Sequence, residues 1–143
     1  MTVTEKDSIM SFGHKKLDVY RLSLKYVKWV YDLSGSLTGK NRFARDQLLR
    51  ASQSIPLNIA EGNGKLSESD KMRFYGIARG SALECAAIQD VLQVCNLIED
   101  NQNRIGEEML IRIVSMLTKM TQRSWSVREE EAQYGDTAKI TFE

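Results

Sequence analysis

The chain predicts an all-α fold, an antiparallel up-down-up-down four-helix bundle, on three observations. A single proline and 8% aromatic residues among 143 argue against a strand-and-turn architecture, while abundant Leu, Ala, Lys, Glu and Gln favour helices. Apolar residues recur at three-and-four spacing in four separate stretches. The connections between those stretches are short, which favours antiparallel neighbours. A 42% hydrophobic content at this length suits one domain with its own core. The expected layout is a flexible segment over 1–14, a bundle over 15–132 with helices at about 15–34, 43–61, 67–96 and 105–132, and a tail over 133–143.

In the first helix Leu17, Tyr20, Leu24, Val27 and Tyr31 share one face, and Val19, Leu22, Tyr26, Trp29, Val30 and Leu33 form a second apolar stripe. Only the narrow line Asp18, Arg21, Lys25, Lys28 and Asp32 is charged. A bundle helix needs one buried face, so this one is expected to pack on its own bundle and on another subunit, the Val19 to Trp29 stripe being the intersubunit candidate. A wide core face with exposed aromatics is the alternative. The second helix, Phe43 to Glu61, has Arg42/Asp46 and Asp46/Arg50 at ion-pair spacing, each worth a few tenths of a kcal/mol. Pro56 inside it lacks the N–H that would reach the Ser52 carbonyl, which predicts a kink, with Ser52 and Ser54 helping to satisfy the freed backbone.

Gly62 is placed to close that helix in the left-handed conformation, with Gly64 easing the turn. The third helix starts near Ser67, where Ser67 and Asp70 have capping-box-like spacing. Its main stripe is Phe74, Ala78, Ser81, Cys85, Ile88, Leu92 and Cys95, at heptad spacing. Gly76 and Gly80 each cost about 1 kcal/mol relative to alanine in a helix, which implies close approach of another backbone. The fourth helix carries Met109, Leu110, Ile113, Met116, Leu117, Met120 and Trp125, and is expected to end near Ala132. Beyond it Ile140 and Phe142 alternate as an edge strand would, although a short terminal segment is more often disordered.

The residues exclude several chemistries. GNGK, residues 62–65, resembles a phosphate loop, but Ile59 stands where that motif needs glycine and Leu66 where it needs Ser or Thr. The one histidine, His14, has no ligand partner at metal spacing, and Cys85 and Cys95 lie about 15 Å apart along one helix, beyond disulfide reach. No catalytic residue, metal site or cofactor is therefore predicted. The opening MTVTEKDSIM lacks an apolar signal-type core and no stretch matches a membrane span, so a cytoplasmic protein without membrane contact is expected.

Charge is uneven. Residues 1–80 hold fourteen Lys/Arg against eight Asp/Glu, and residues 81–143 six against eleven. Such a split can steer an anionic partner, or reflect hairpins that attract each other within or between subunits. Lys15, Lys16, Arg21, Lys25, Lys28, Lys40, Arg42, Arg45 and Arg50, interleaved with Tyr20, Tyr26 and Trp29, are the candidate nucleic-acid-binding residues. Arg50, Ser54, Asn58 and Glu61 line one side of the second helix as a polar seam, expected to lock it to the third helix or to a neighbouring subunit. Glu61 and Glu84 are expected to pair with Arg50, Arg45 or a helix end.

The stretch QLLRASQSIPLNIAEGNGK with the later FYGIARGSALE resembles the 23S ribosomal RNA intervening-sequence protein family. The matching residues are Arg50, Ser54, Ile55, Asn58, Ile59, Ala60, Glu61 and Gly62, then Ala78, Gly80, Ser81 and Glu84; Lys65 stands where relatives often carry arginine. The resemblance implies a four-helix bundle that assembles as a homopentamer. It extends to the accessory variability protein of diversity-generating retroelements, which implies nucleic acid and a partner protein such as a reverse transcriptase as candidate partners. It carries over no catalytic residue. The expected function is a non-enzymatic homo-oligomeric bundle whose basic surface contacts structured RNA or an RNA–protein complex; a protein-interaction scaffold without nucleic-acid contact is the alternative.

Overall fold

The computed structural model describes residues 11–140, with side-chain detail as far as residue 122. Four helices account for most of it: α1 (Asp18–Ser34), α2 (Arg42–Asn63), α3 (Glu68–Val94) and α4 (Asp100–Ile140). Short 3-10 turns, Gly13–Lys16 and Gly39–Asn41, lead into α1 and α2, and no strand occurs among the described residues. Each helix packs on its chain neighbours, and α4 closes the ring by packing on α1. Between α2 and α3 the partners run in opposite senses along the chain, with Arg50 beside Glu84, Ser54 beside Ser81, and Gly62 beside Phe74 and Tyr75.

The core takes one stripe from every helix: Tyr26 and Val30 from α1, Leu48, Ile55 and Ile59 from α2, Ala82, Cys85 and Leu92 from α3, and Leu110, Ile113 and Leu117 from α4. Each fully buried Leu or Ile contributes about 1.5–3 kcal/mol relative to exposure. The heptad stripe of α3 is buried from Ala78 through Leu92, while Phe74 is only half-buried and Cys95 exposed. Of the two stripes on α1, Val19, Leu22, Tyr26, Val30 and Leu33 form the intramolecular core, which corrects their expected place at a subunit contact. The outward stripe is the other one: Leu24 is 45% and Tyr31 54% exposed. Five apolar residues that pack toward α2 and α4, with Tyr26 reaching Gln89 on α3, outcompete the stripe whose spacing is equally regular.

The ends of the helices show where local chemistry sufficed. The Ser67 hydroxyl accepts from the Asp70 N–H at 3.1 Å, capping α3. At its other end Asn96 adopts φ 56°, and Leu97 N–H donates to the Leu92 carbonyl at 2.8 Å and Asn96 N–H to Gln93 at 3.1 Å, a Schellman closure built on asparagine. α2 runs past Gly62 to Asn63 and Gly62 is not in the left-handed region, so that expectation is corrected. A Cβ there would lie 2.9 Å from Tyr75 Cε1 and 3.1 Å from Phe74 Cβ; the glycine serves close packing on α3.

Gly76 and Gly80 show the reverse. Both are exposed and nothing in the chain lies within 4 Å of a Cβ built on either, so no backbone of this copy approaches them. Pro56 is buried and helical hydrogen bonding resumes around it. The Ser52 hydroxyl donates to the Leu49 carbonyl and Ser54 pairs with Ser81, so neither hydroxyl serves the carbonyl that Pro56 frees. α4 begins at Asp100 and continues to Ile140, well beyond Ala132, so the alternation at Ile140 does not mark a strand. The run EEEAQ, residues 129–133, is rich in strong helix formers. Phe142 lies outside the described residues, as do residues 1–10 of the expected flexible segment.

Candidate functional site

Three surfaces emerge from this packing: the α2–α3 seam, a scatter of cations, and an apolar groove between α3 and α4. In the seam, Arg50 Nη2 donates to Glu84 Oε1 at 2.6 Å and the Ser54 and Ser81 hydroxyls lie 2.8 Å apart. Asn58 Nδ2 donates to the Ser54 carbonyl at 2.8 Å and to its hydroxyl at 3.0 Å, which orients Ser54 toward α3. The seam therefore locks α2 to α3 within one copy. Glu61 does not join it, pairing instead with Lys65 at 3.3 Å. Gly62 completes the seam by admitting Tyr75, while Gly80, exposed beside Ser81, takes no part in it.

The nine candidate cations are not gathered. Lys15 and Lys16 sit in the turn before α1, and Lys40 and Arg42 after its far end, about 25 Å away along a 17-residue helix. Four carry acidic partners: Arg21 with Asp18, Lys28 with Asp32, Arg45 with Asp46 and Arg50 with Glu84. Asp46 thus pairs with its chain neighbour and not with Arg42 or Arg50, because Glu84 on α3 captures Arg50. Lys15, Lys16, Lys25, Lys40 and Arg42 form no ion pair among the described residues.

A buried polar cluster, not foreseen from the sequence, ties α1, α3 and α4 together. Tyr26 Oη donates to Gln89 Oε1 at 2.6 Å, and Gln89 Nε2 donates to the Asn103 carbonyl at 3.2 Å and to Asn103 Oδ1 at 3.0 Å. Gly106 packs against it, for a Cβ there would fall 2.5 Å from the Trp29 ring and 2.8 Å from Gln89 Oε1. Burial drives the Tyr26 hydroxyl well above its ordinary value, with Cys85 adding to the shift. Burial likewise pushes the Cys85 thiol up to about 12, and raises Tyr75. All three groups are held neutral, and no group of three or more metal-ligating side chains occurs among the described residues. A glutamine on the core side of α3 and a glycine within α4 were the available signals.

The groove between α3 and α4 has a volume of about 280 Å³ and is lined by Leu83, Ala86, Leu110, Ile111 and Val114, with Glu107 and Ser115 at its margin. A separate hollow between the same helices is lined by Met72, Gly76, Arg79, Thr118, Thr121 and Gln122, and there Arg79 Nε donates to the Thr118 hydroxyl at 2.8 Å. Leu83 is 46% and Ile111 61% exposed.

The family model for 23S rRNA-intervening sequence proteins matches residues 15–119, from the turn before α1 into α4. The chain belongs to that family. Consistent with membership, the fold is similar to that of a protein of unknown function from the S23 ribosomal protein family of Bacteroides thetaiotaomicron VPI-5482, with a TM-score of 0.68 and 23% identity over 72% of this chain and 97% of that one. No curated protein matches the chain. The seam residues Arg50, Ser54, Asn58, Ser81 and Glu84 all lie within the span matched to the family of 23S rRNA-intervening sequence proteins. No described helix is long and apolar enough to cross a membrane.

Proposed function

We propose that this member of the 23S rRNA-intervening sequence protein family is a non-enzymatic, self-associating helical scaffold. The carrying observation is apolar surface left uncovered on two sides of the bundle, by Leu24 and Tyr31 on α1 and by Leu83 and Ile111 beside the α3–α4 groove. Contiguous exposed apolar surface marks contact sites. A non-catalytic role is supported by the shifted groups themselves: Tyr26, Tyr75 and Cys85 all move away from the charged form, which suits packing and not proton transfer at neutral pH. Light scattering on nuclease-treated protein tests the reading. A multiple of the 16.3 kDa chain mass supports it, and a monomer refutes it.

A second activity, contact with structured RNA, is favoured by the five cations without acidic partners among the described residues, Lys15, Lys16, Lys25, Lys40 and Arg42. They lie too far apart on one copy to grip a single short site, and association would multiply them around an assembly. The family's name makes ribosomal RNA the first probe. Filter binding should show affinity that falls steeply with salt, since each phosphate contact releases counterions, and charge removal at Lys40 and Arg42 should flatten the slope. Absence of binding at low salt would leave a protein scaffold alone.

A further inference from the structure

We infer that one end of the bundle, where the turn before α1 meets the α2–α3 connection, binds single-stranded RNA: bases stack on Phe12 and enter a hollow beside His14, while Lys65 and Arg73 take phosphates. The inference rests on the RNA contact proposed above and supplies the gathered site that the nine scattered cations do not form. The turn Gly13–Lys16 packs on the end of α2, and a Cβ on Gly13 would lie 3.1 Å from Asn63 Oδ1. Phe12 stacks on His14 with ring centroids 5.7 Å and planes 18° apart, and His14 meets Tyr20 edge-on at 4.7 Å. Phe12 is 71% exposed and so open to a base.

His14 is also one wall of a hollow of about 380 Å³ that it shares with Leu57, Ala60, Glu61, Gly64 and Lys65. Leu57 and Ala60 give that hollow an apolar side for a flat heterocycle, and His14, Glu61 and Lys65 give it a polar rim. Lys65 leads on to the second cation. Its Nζ stands 5.0 Å from the centroid of the Phe74 ring and the Arg73 guanidinium carbon stands 5.2 Å from the same ring, so one aromatic side chain gathers a cation from the connection and another from α3. Rings, hollow and cations thus form one strip from Phe12 to Arg73, joined at His14 and Lys65. Lys15 and Lys16, exposed beside His14, form no ion pair among the described residues. Over residues 12–16 and 61–74, Lys15, Lys16, Lys65, Lys71 and Arg73 outnumber Glu61, Glu68 and Asp70. The Glu61–Lys65 pair is solvated, so a phosphate can displace the carboxylate. Interleaved aromatic and cationic groups suit a single strand, because every base offers a face for stacking and every linkage a phosphate. A duplex keeps its bases inside the helix, out of reach of both ring and hollow.

The experiment follows the fluorescence anisotropy of a labelled, unstructured RNA of about 10 nucleotides, beside the duplex of the same sequence and with polyglutamate as competitor. The single strand should bind about 5-fold or more tighter than the duplex, and polyglutamate at matched charge should not displace it. Phe12→Ala, at an exposed position, should weaken binding by about 5-fold or more without changing its salt dependence, whereas Phe12→Tyr should bind as the wild type does. Lys65→Gln combined with Arg73→Gln should flatten the slope of log affinity against log salt by about 1.4, the loss of two phosphate contacts. Circular dichroism checks that each variant is folded. Displacement by polyglutamate overturns the assignment in favour of an acidic polypeptide. Equal binding of the duplex, or wild-type affinity in Phe12→Ala or in the double variant, overturns this site while leaving RNA contact through Lys40 and Arg42 standing. Absence of any RNA binding at low salt overturns both.

Discussion

Replacing Gly106 with alanine should destabilise the bundle although alanine is the better helix former. The substitution gains about 1 kcal/mol of helix propensity. Against that gain, the new methyl would lie 2.5 and 2.7 Å from two atoms of the Trp29 ring and 2.8 Å from Gln89 Oε1, so the ring or the helix must retreat by nearly 1 Å. Trp29 cannot swing away cheaply, because it stacks on Tyr26 with ring centroids 5.5 Å apart, and Tyr26 donates to Gln89. Overpacking of this kind costs about 1–3 kcal/mol. If Gln89 also moves, the Tyr26 hydroxyl or the Asn103 side chain loses its buried partner, at about 1–3 kcal/mol more. With both costs set against the propensity gain, the net expectation is a loss of about 1–5 kcal/mol in urea unfolding followed by circular dichroism at fixed protein concentration. Gly80→Ala is the matched control: nothing lies within 4 Å of that Cβ, so propensity acts alone and stability should rise by about 0.5–1 kcal/mol. A Gly106→Ala chain as stable as the wild type would refute the packing account.

Further outcomes follow from the same contacts. Asn58→Ala should cost about 1–2 kcal/mol through its bonds to Ser54 while leaving RNA affinity unchanged; lost affinity at unchanged stability and mass would make the seam a binding site, as filter binding alongside urea unfolding will tell. Glu84→Gln should cost less than about 1 kcal/mol, because Arg50 and Glu84 are largely solvated, and a loss of several kcal/mol would contradict that. In native protein a thiol reagent should label Cys95 at once and Cys85 only on unfolding, as mass spectrometry of peptides would show. Stability should also fall at alkaline pH. Cys85 rises from 9.0 to about 12 on folding, so its contribution is complete below pH 9 and declines by about 1 kcal/mol per pH unit up to pH 12, with Tyr26 adding to the decline above pH 10. Urea midpoints that stay level from pH 8 to 11 would refute the burial of these groups.

Much of the fold is legible in local pattern. The four apolar periods, the Ser67 cap and the heptad stripe of α3 are readable because each depends on residues within a few turns of one another. The α2–α3 seam is partly legible for the same reason, since Arg50, Ser54 and Asn58 already share a helix face. On the α3 side Glu84 has Arg50 among its expected partners, and the structure makes that pair, whereas the contact of Ser54 with Ser81 joins residues 27 apart that no local pattern relates. The charge excess of the first half is legible in composition, but its distribution over the surface is not, because a helix about 25 Å long separates Lys15 and Lys16 from Lys40 and Arg42.

The sequence by itself determined the number and nature of the helices, since periodicity and propensity are properties of short segments. Tertiary structure alone decided which of two apolar stripes on α1 turns inward, for both satisfy the same period and only the shape of three partner helices separates them. It also decided what the glycines do. Gly62 and Gly106 are required by side chains from other helices, Gly76 and Gly80 face open space, and no local pattern distinguishes the two pairs because the atom that matters in each case belongs to a distant part of the chain.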